Sequence, residues 1–298
     1  MKILNFGSVN IDLNFKVDHI VRPGETISSI NFNQSPGGKG LNQSIALSNV
    51  NNNIYHAGKY GQDGEFIKKI LEDNGVNIRF LEKSQKNTGN ALIQIDKKGE
   101  NSIVLYKGAN YDIDENFVDK VLENFSKGDC LVLQNEISSL KYIIDKAYDK
   151  KMKICLNPSP INELIFDLDL SKLDFLILNE TEAKDISKFS DKDEIIKFFR
   201  KTYPNLKIIL TLGSKGSIYF DKNQIINQKP YKVKTIDTTG AGDTFMGYFV
   251  GLYFDGNSIE NSLKLASKAS ALACTKNGSQ DSIPNIEDIK NFKFLDFN

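Results

Sequence analysis

Asp237-Thr-Thr-Gly-Ala-Gly-Asp-Thr-Phe245 decides how this chain reads. The run follows an apolar, strand-like segment and opens a helical pattern carried by Phe245, Phe249, Leu252 and Tyr253. Gly240 and Gly242 permit a tight turn whose backbone N–H groups converge on one point. The helix that starts there adds its positive dipole end, so the turn is built to hold an anion. At the same helix start the dipole keeps Asp243 ionised and able to accept a proton. An anion hole beside a fixed carboxylate suits transfer of a phosphoryl group to an alcohol. A bare Gly-x-Gly-Asp also reads as an ordinary capped helix start.

Three more segments sit at strand-to-helix or strand-to-turn junctions. Pro36-Gly-Gly-Lys-Gly-Leu-Asn-Gln43 precedes a helical pattern of Ile45, Leu47 and Val50. Its glycines let backbone amides approach a polyhydroxylated ligand, and Lys39 and Asn42 supply directed donors. The glycine spacing is not that of a Walker A loop, and no Ser or Thr follows the lysine. Asn179-Glu-Thr-Glu182 follows the apolar strand Phe175 to Leu178. A carboxylate at Glu182 can organise water around a metal ion, and the same letters also fit an N-cap with an acidic first turn. Thr211-Leu-Gly-Ser-Lys-Gly216 offers amides and hydroxyls to a nucleotide, or makes a hairpin turn before Ile218-Tyr-Phe220.

Strands and helices alternate along the chain. Ile3 to Val9, Ile54 to Lys59, Cys130–Gln134, Lys153–Asn157, Phe175–Leu178 and Lys207–Leu212 read as strands. Lys39 to Asn51, Gly64 to Asn74, Leu140–Lys150 and Glu194–Tyr203 read as helices. This pattern predicts an α/β fold with a mostly parallel sheet wrapped on both faces. Two stretches depart from it. Leu13 to Phe32 reads as extended pieces around Arg22-Pro-Gly24, and Ala91 to Tyr106 as a hairpin around Asp96–Glu100. Neither has a helix to cover it, so a small β lid inserted in the main domain is expected. Its bare face and edge call for a partner.

Composition narrows the alternatives. The 298 residues suit one large α/β domain or two small ones, and 40% apolar content supplies a substantial core. Lys+Arg and Asp+Glu balance at 38 each, which leaves no basic field for nucleic acid. No apolar run approaches a membrane span, and the first residues read as a strand instead of a signal peptide. Cys130, Cys155 and Cys274 lack metal-ligand spacing, and Cys130 and Cys155 sit in apolar strands, so for these two buried free thiols in a reducing cytoplasm are expected. His19 and His56 have no sequence neighbour that makes a catalytic pair.

In this order and spacing, the motifs resemble the ribokinase family, also called the phosphofructokinase B family of carbohydrate kinases. The likeness spans nearly the whole chain. It includes Gly7-Ser-Val-Asn-Ile-Asp12, Gly108-Ala-Asn110, Gln134-Asn-Glu136, Asn157-Pro-Ser-Pro160 and Gly278-Ser-Gln-Asp-Ser282 besides the runs above. It implies a doubly wound, mostly parallel sheet over residues 1–298 as a single kinase domain. The lid would come from segments of about 13–34 and 88–110.

The resemblance also implies roles. Asn10, Asp12, Gly38, Lys39, Gly40, Asn42 and Glu136 would hold a sugar, though an acidic residue after a strand is ordinarily solvated. Asp243 would take the proton from its primary hydroxyl, with the amides of Gly240, Ala241 and Gly242 facing the transferred phosphoryl group. ATP would lie against Asn179, Thr211, Gly213, Ser214, Gly216 and Gly242, with Ser267 where relatives carry His or Asn near the adenine. Mg2+ would travel with the phosphates, Glu182 acting through water. K+ would sit among Asp237, Thr239, Ala273, Lys276, Gly278 and Ser282, several through backbone oxygens. The pairing of Asn10-Ile-Asp12 with Gly108-Ala-Asn110 and Glu136 implies D-ribose as sugar. Sibling kinases for other sugars, sugar acids or nucleosides are the alternative, and a homodimer joined through the lid is implied as well.

Overall fold

The computed structural model describes residues 1–294. Thirteen strands and nine α-helices follow one another among them. The chain opens with β1 (Ile3–Phe6), β2 (Asn10–Lys16), β3 (Asn31–Gly37), α1 (Lys39–Ser48), β4 (Ile54–Tyr60), α2 (Glu65–Asp73) and β5 (Asn77–Lys83). It continues with β6 (Gly89–Ile95), β7 (Asn101–Tyr106), α3 (Glu115–Leu122), β8 (Cys130–Gln134), α4 (Leu140–Asp149), β9 (Lys153–Asn157) and β10 (Phe175–Asn179). Then come α5 (Glu180–Ser187), α6 (Lys192–Thr202), β11 (Lys207–Thr211), β12 (Ser217–Phe220) and β13 (Ile225–Gln228). The last helices are α7 (Ala241–Phe254), α8 (Ile259–Ala273) and α9 (Ile286–Asn291).

Nine strands form the main sheet in the order β13-β12-β11-β10-β9-β8-β1-β4-β5. The run from β5 to β11 is parallel, and β12 and β13 close one edge as an antiparallel hairpin. Successive strand residues face opposite sides, and both sides are buried, as expected of parallel strands between helical layers. Leu131, Leu133, Leu176 and Leu178 pack toward α3, α4, α5 and α6. Cys130, Val132, Phe175 and Ile177 pack toward α1, α2, α7 and α8. Helix α7 is buried nearly all round, which accounts for its apolar composition from Phe245 onward. Cys130 and Cys155 are buried free thiols. Among the described residues no helix is long and apolar enough to cross a membrane.

The second sheet has four strands in the order β3-β2-β6-β7. β2 and β6 run parallel in its centre, with antiparallel neighbours on either side. β6 and β7 form the hairpin read from the alternation. On β7, Ile103, Val104, Leu105 and Tyr106 are all at least half exposed or nearly so, at 50%, 64%, 53% and 49%.

Several boundaries differ from expectation. The first strand ends at Phe6, not Val9, because Gly7 to Val9 leaves the main sheet to enter β2. There the backbone bonds elsewhere: Val9 N–H donates to Asn110 Oδ1 and Leu41 N–H to the Ser8 carbonyl. Helix α6 starts at Lys192, two residues early, because the Asp191 carboxylate caps the N–H groups of Asp193 and Glu194. Helices α3, α8 and α9 and strands β5 and β13 lie outside the segments that the sequence pattern marks.

Candidate active site

Helix α7 begins from Gly240 in the left-handed conformation, φ 74°, which favours glycine. Ala241 N–H turns back to the Thr238 carbonyl at 3.2 Å. The N–H groups of Gly242 and Asp243 lie in the first turn, where no intrahelical carbonyl is available. A Cβ built on Gly242 would meet nothing within 4 Å, so this turn looks onto open space.

Asp243 is almost fully buried beside that turn. Its Oδ2 accepts from Asn42 Nδ2 at 3.1 Å and its Oδ1 from Gln43 Nε2 at 3.0 Å. Two glycines bring α1 this close. A Cβ on Gly247 would stand 2.4 Å from Ala46 Cβ, and one on Gly251 2.5 Å from Val50 Cγ2. Spaced four apart, they open one face of α7 to α1. Gly40 allows the matching approach of α1 to residues 7 and 8.

The sugar candidates gather around α1 and β2. Asn10 Oδ1 accepts from Asn110 Nδ2 at 2.7 Å, which leaves the Asn10 amide hydrogens for another acceptor. The Asp12 carboxylate lies against the bare face of Gly37, where a Cβ would approach it to 2.2 Å. Burial, and then the charge of Glu136, push the Asp12 carboxyl up to about 6. Glu136 is not solvated as an acidic residue after a strand ordinarily is. It is partly buried and accepts from Lys39 N–H at 3.0 Å and Ser8 Oγ at 2.5 Å. Burial raises its carboxyl, against the opposing pull of Lys39. The Lys39 ammonium is held charged chiefly by Asp243, against desolvation, with Glu136 and Glu182 adding to the effect. Gly38 begins the helix with φ 96°.

Register sets two nucleotide candidates side by side, since Asn179 at the end of β10 pairs with Thr211 at the end of β11. Thr211 Oγ donates to the Leu178 carbonyl. Gly213 and Gly216 have φ 55° and 97°, and Ser214 is exposed between them. Asn179 caps α5 reciprocally with Glu182: Asn179 N–H and Nδ2 donate to the Glu182 carboxylate, and Glu182 N–H donates to Asn179 Oδ1. The capping arrangement is therefore present, and each Glu182 oxygen keeps a second lone pair. Ser267 is buried in α8.

The residues proposed for a monovalent cation come from two loops pinned to each other. Asp237 Oδ1 accepts from Thr239 N–H and Oγ, and its Oδ2 accepts from Gly278 N–H at 3.0 Å. Burial favours the neutral Asp237 carboxyl, but these donors outweigh it and hold the group below its usual range. Ile236 N–H donates to the Cys274 carbonyl at 2.8 Å, one residue beyond buried Ala273. Ser282 is buried and donates to the Ser279 carbonyl, while Lys276 is exposed. Among the described residues no three His, Cys, Asp or Glu side chains converge as a metal cage.

Gln43, Asn110 and Gln134 stood inside motifs already quoted from the sequence, yet no role was assigned to them. Only their contacts single them out.

A family model described as pfkB family carbohydrate kinase matches residues 1–286. The chain is 33% identical to a ribokinase of Haemophilus influenzae, with 96% of each chain covered. It is 30% identical to a deoxyribokinase of Salmonella typhi, with 99% of each covered. Among solved structures, it superposes on a ribokinase from Cryptococcus neoformans in complex with ADP at TM-score 0.86. That pair is 33% identical, with 97% of this chain and 98% of the other covered.

Proposed function

Because the chain belongs to the pfkB family of carbohydrate kinases, we propose that it transfers the γ-phosphoryl group of ATP to the primary hydroxyl of a pentose, D-ribose giving ribose 5-phosphate. The carrying observation is the Asp243 carboxylate, held by Asn42 and Gln43 at the mouth of the Gly240–Gly242 turn. In this reading Asp243 takes the hydroxyl proton as that oxygen attacks. The amides of Gly240 and Gly242 face the charge that develops on the transferred group, and Ala241 N–H joins them once it leaves the Thr238 carbonyl. Asn10, Asp12 and Glu136 hold sugar hydroxyls, together with Lys39, Asn42 and the backbone of Gly38 and Gly40. Asn179, Thr211, Gly213, Ser214 and Gly216 take the nucleotide. A coupled ADP-release assay with D-ribose, 2-deoxyribose, fructose, adenosine and pseudouridine tests the reading. Ribose should give the highest kcat/KM. The deoxyribokinase relative makes 2-deoxyribose the specific competitor, and a preference for it would replace ribose. Turnover of no sugar would remove the proposal.

Asp12 supplies a prediction with a sign. As an acceptor of sugar hydroxyls it must be ionised, and its carboxyl stands at about 6. Sugar KM should therefore rise as pH falls through that value. Asp12→Ala should cost about 1–3 kcal/mol, mostly in sugar KM, and abolish the pH dependence. A loss of ATP affinity instead would place the sugar on the wrong side.

Mg2+ would travel with the ATP phosphates and keep several waters, and the Glu182 carboxylate, each of whose oxygens keeps a lone pair, suits contact with them. Such an ion neutralises phosphate charge, and Glu182 would hold its waters. The pinned loops around Asp237 fit K+ through Thr239, Ala273, Lys276, Gly278 and Ser282. A cation there stiffens the turn that aims the Gly240–Gly242 amides. Replacing sodium by potassium should raise turnover several-fold, because misplacement of about 1 Å costs on the order of 10²-fold. Asp237→Ala should erase that ratio and leave sugar affinity unchanged. Equal rates in sodium, potassium and a bulky organic cation would refute the site.

The exposed apolar edge of β7, with Phe32 on β3, fits a lid-to-lid homodimer. Sedimentation at micromolar concentration should give about twice 33.5 kDa. A fully active monomer would refute the pairing. A cytoplasmic location accords with the free thiols.

A further inference from the structure

A line of fully buried polar side chains runs behind Asp243, and its hydrogen bonds admit one orientation only. It begins at the Gly40 carbonyl, which can only accept, and which takes a hydrogen from Asn5 Nδ2 at 2.7 Å. That contact fixes the Asn5 amide and turns its Oδ1 toward Gln134, whose Nε2 donates to it at 2.9 Å. The other Gln134 hydrogen goes to Gln43 Oε1 at 2.7 Å. Gln43 must then present Nε2 to Asp243 Oδ1, which it meets at 3.0 Å. Asn5 Nδ2 also donates to Ser44 Oγ, which shares a hydrogen bond with His56 Nδ1 at 2.8 Å, and burial keeps that imidazole neutral.

Asn5, Gln43, Ser44, Gln134 and His56 each have zero solvent exposure. An amide in such a place carries a cost unless its geometry is satisfied. The Asp243 carboxylate and the Gly40 carbonyl are both acceptor-only, and Gln134 is the double donor between them. A flip of any one amide sets donor against donor or acceptor against acceptor. The donor and acceptor directions of the three amides are therefore fixed by elimination, with Gln134 Oε1 left without a partner.

We propose that Gln43, held by Gln134, is the positioning residue for Asp243: it sets the rotation of the carboxylate and so aims the remaining lone pairs of its oxygens at the sugar hydroxyl. The inference rests on Asp243 being the base. Asn42 holds the other oxygen but belongs to the sugar candidates, whereas Gln43 is sealed from ligand. The charged groups acting nearby are Lys39 of α1 and Glu136 after β8, with Glu182 of α5 acting on Lys39.

The test is the pH profile of kcat for the full-length enzyme with D-ribose and ATP. Gln43→Glu keeps size and can still accept from Gln134, but sets a second carboxyl against Asp243. The pair should share a proton near neutrality. Turnover should fall about 10-fold or more between pH 8.5 and 6, where the wild type changes less than about threefold, and ribose KM should stay within about threefold. Gln43→Met removes the donor without adding charge, and should move the acid limb upward by about one pH unit. It carries the test should Q43E not fold. A purely structural Gln43 would lower Tm in both variants and leave the profiles superimposed on the wild type. Superimposed profiles overturn the inference when Asp243→Asn is inactive in the same assay. An active Asp243→Asn enzyme removes the base assignment instead, and the positioning role falls with it.

Discussion

Asp243→Asn lowers turnover at least 10²-fold and leaves sugar affinity within a factor of a few. The substitution keeps the size of the side chain and one of its two acceptors. What it removes is the capacity to take a proton from the attacking hydroxyl, a contribution ordinarily worth 10²–10⁴-fold. Its structural cost is local. Asn42 and Gln43 both donate to the carboxylate, so an amide satisfies one of them and opposes the other. Burial of one mismatched donor costs about 1–3 kcal/mol, which a melting curve will register without loss of the fold. Titration calorimetry with D-ribose separates the two effects, because binding precedes proton transfer. Retention of more than about a tenth of wild-type turnover would show that another group, or water, accepts the proton.

Gly40→Ala is the second large effect, with a different cause. A Cβ there would stand 2.4 Å from the Ser8 nitrogen and 2.5 Å from both the Gly7 carbonyl carbon and the Ser8 oxygen. All three neighbours are main chain, so no flexible side chain can yield. Relief requires the N-terminus of α1 to retreat by about 1 Å, a displacement that costs on the order of 10²-fold when it misplaces reacting groups. The retreat carries Lys39, Asn42 and Gln43 with it, and draws the Gly40 carbonyl away from Asn5. Overpacking of this kind costs about 1–3 kcal/mol of stability, so the variant should fold and its circular dichroism should match the wild type. Folded Gly40→Ala with kcat within about threefold of the wild type would show that the site tolerates a shift of α1.

The glycine-rich turns and the parallel sheet were legible because each is written in consecutive letters. A left-handed Gly240, a helix opening at Ala241 and an apolar strand such as Phe175–Asn179 answer to local backbone sterics and to burial on both faces. The lid hairpin was legible for the same reason, through its alternation and its central Asp96–Glu100 turn. The end of the first strand was not. Ile3 to Val9 is apolar throughout apart from Asn5, Gly7 and Ser8, and what turns the chain out at Gly7 is bonding by Asn110 and Leu41, distant in sequence.

The sequence by itself determined the fold class, the glycine turn that opens α7, the carboxylate beside it and the family resemblance. Tertiary structure alone decided what surrounds that carboxylate. Resemblance names Glu136 as a sugar contact, but only the closing of Ser8 and Lys39 on it settles where its carboxylate lies. Gln43 reads as a helix residue until Gly247 and Gly251 admit α1 against α7 and bring it within 3.0 Å of a partner 200 positions away. Local propensity carries no information about which small residues on two distant helices will face each other. That is settled by how the helices interdigitate over the sheet, and the rotation of the carboxylate follows from that packing.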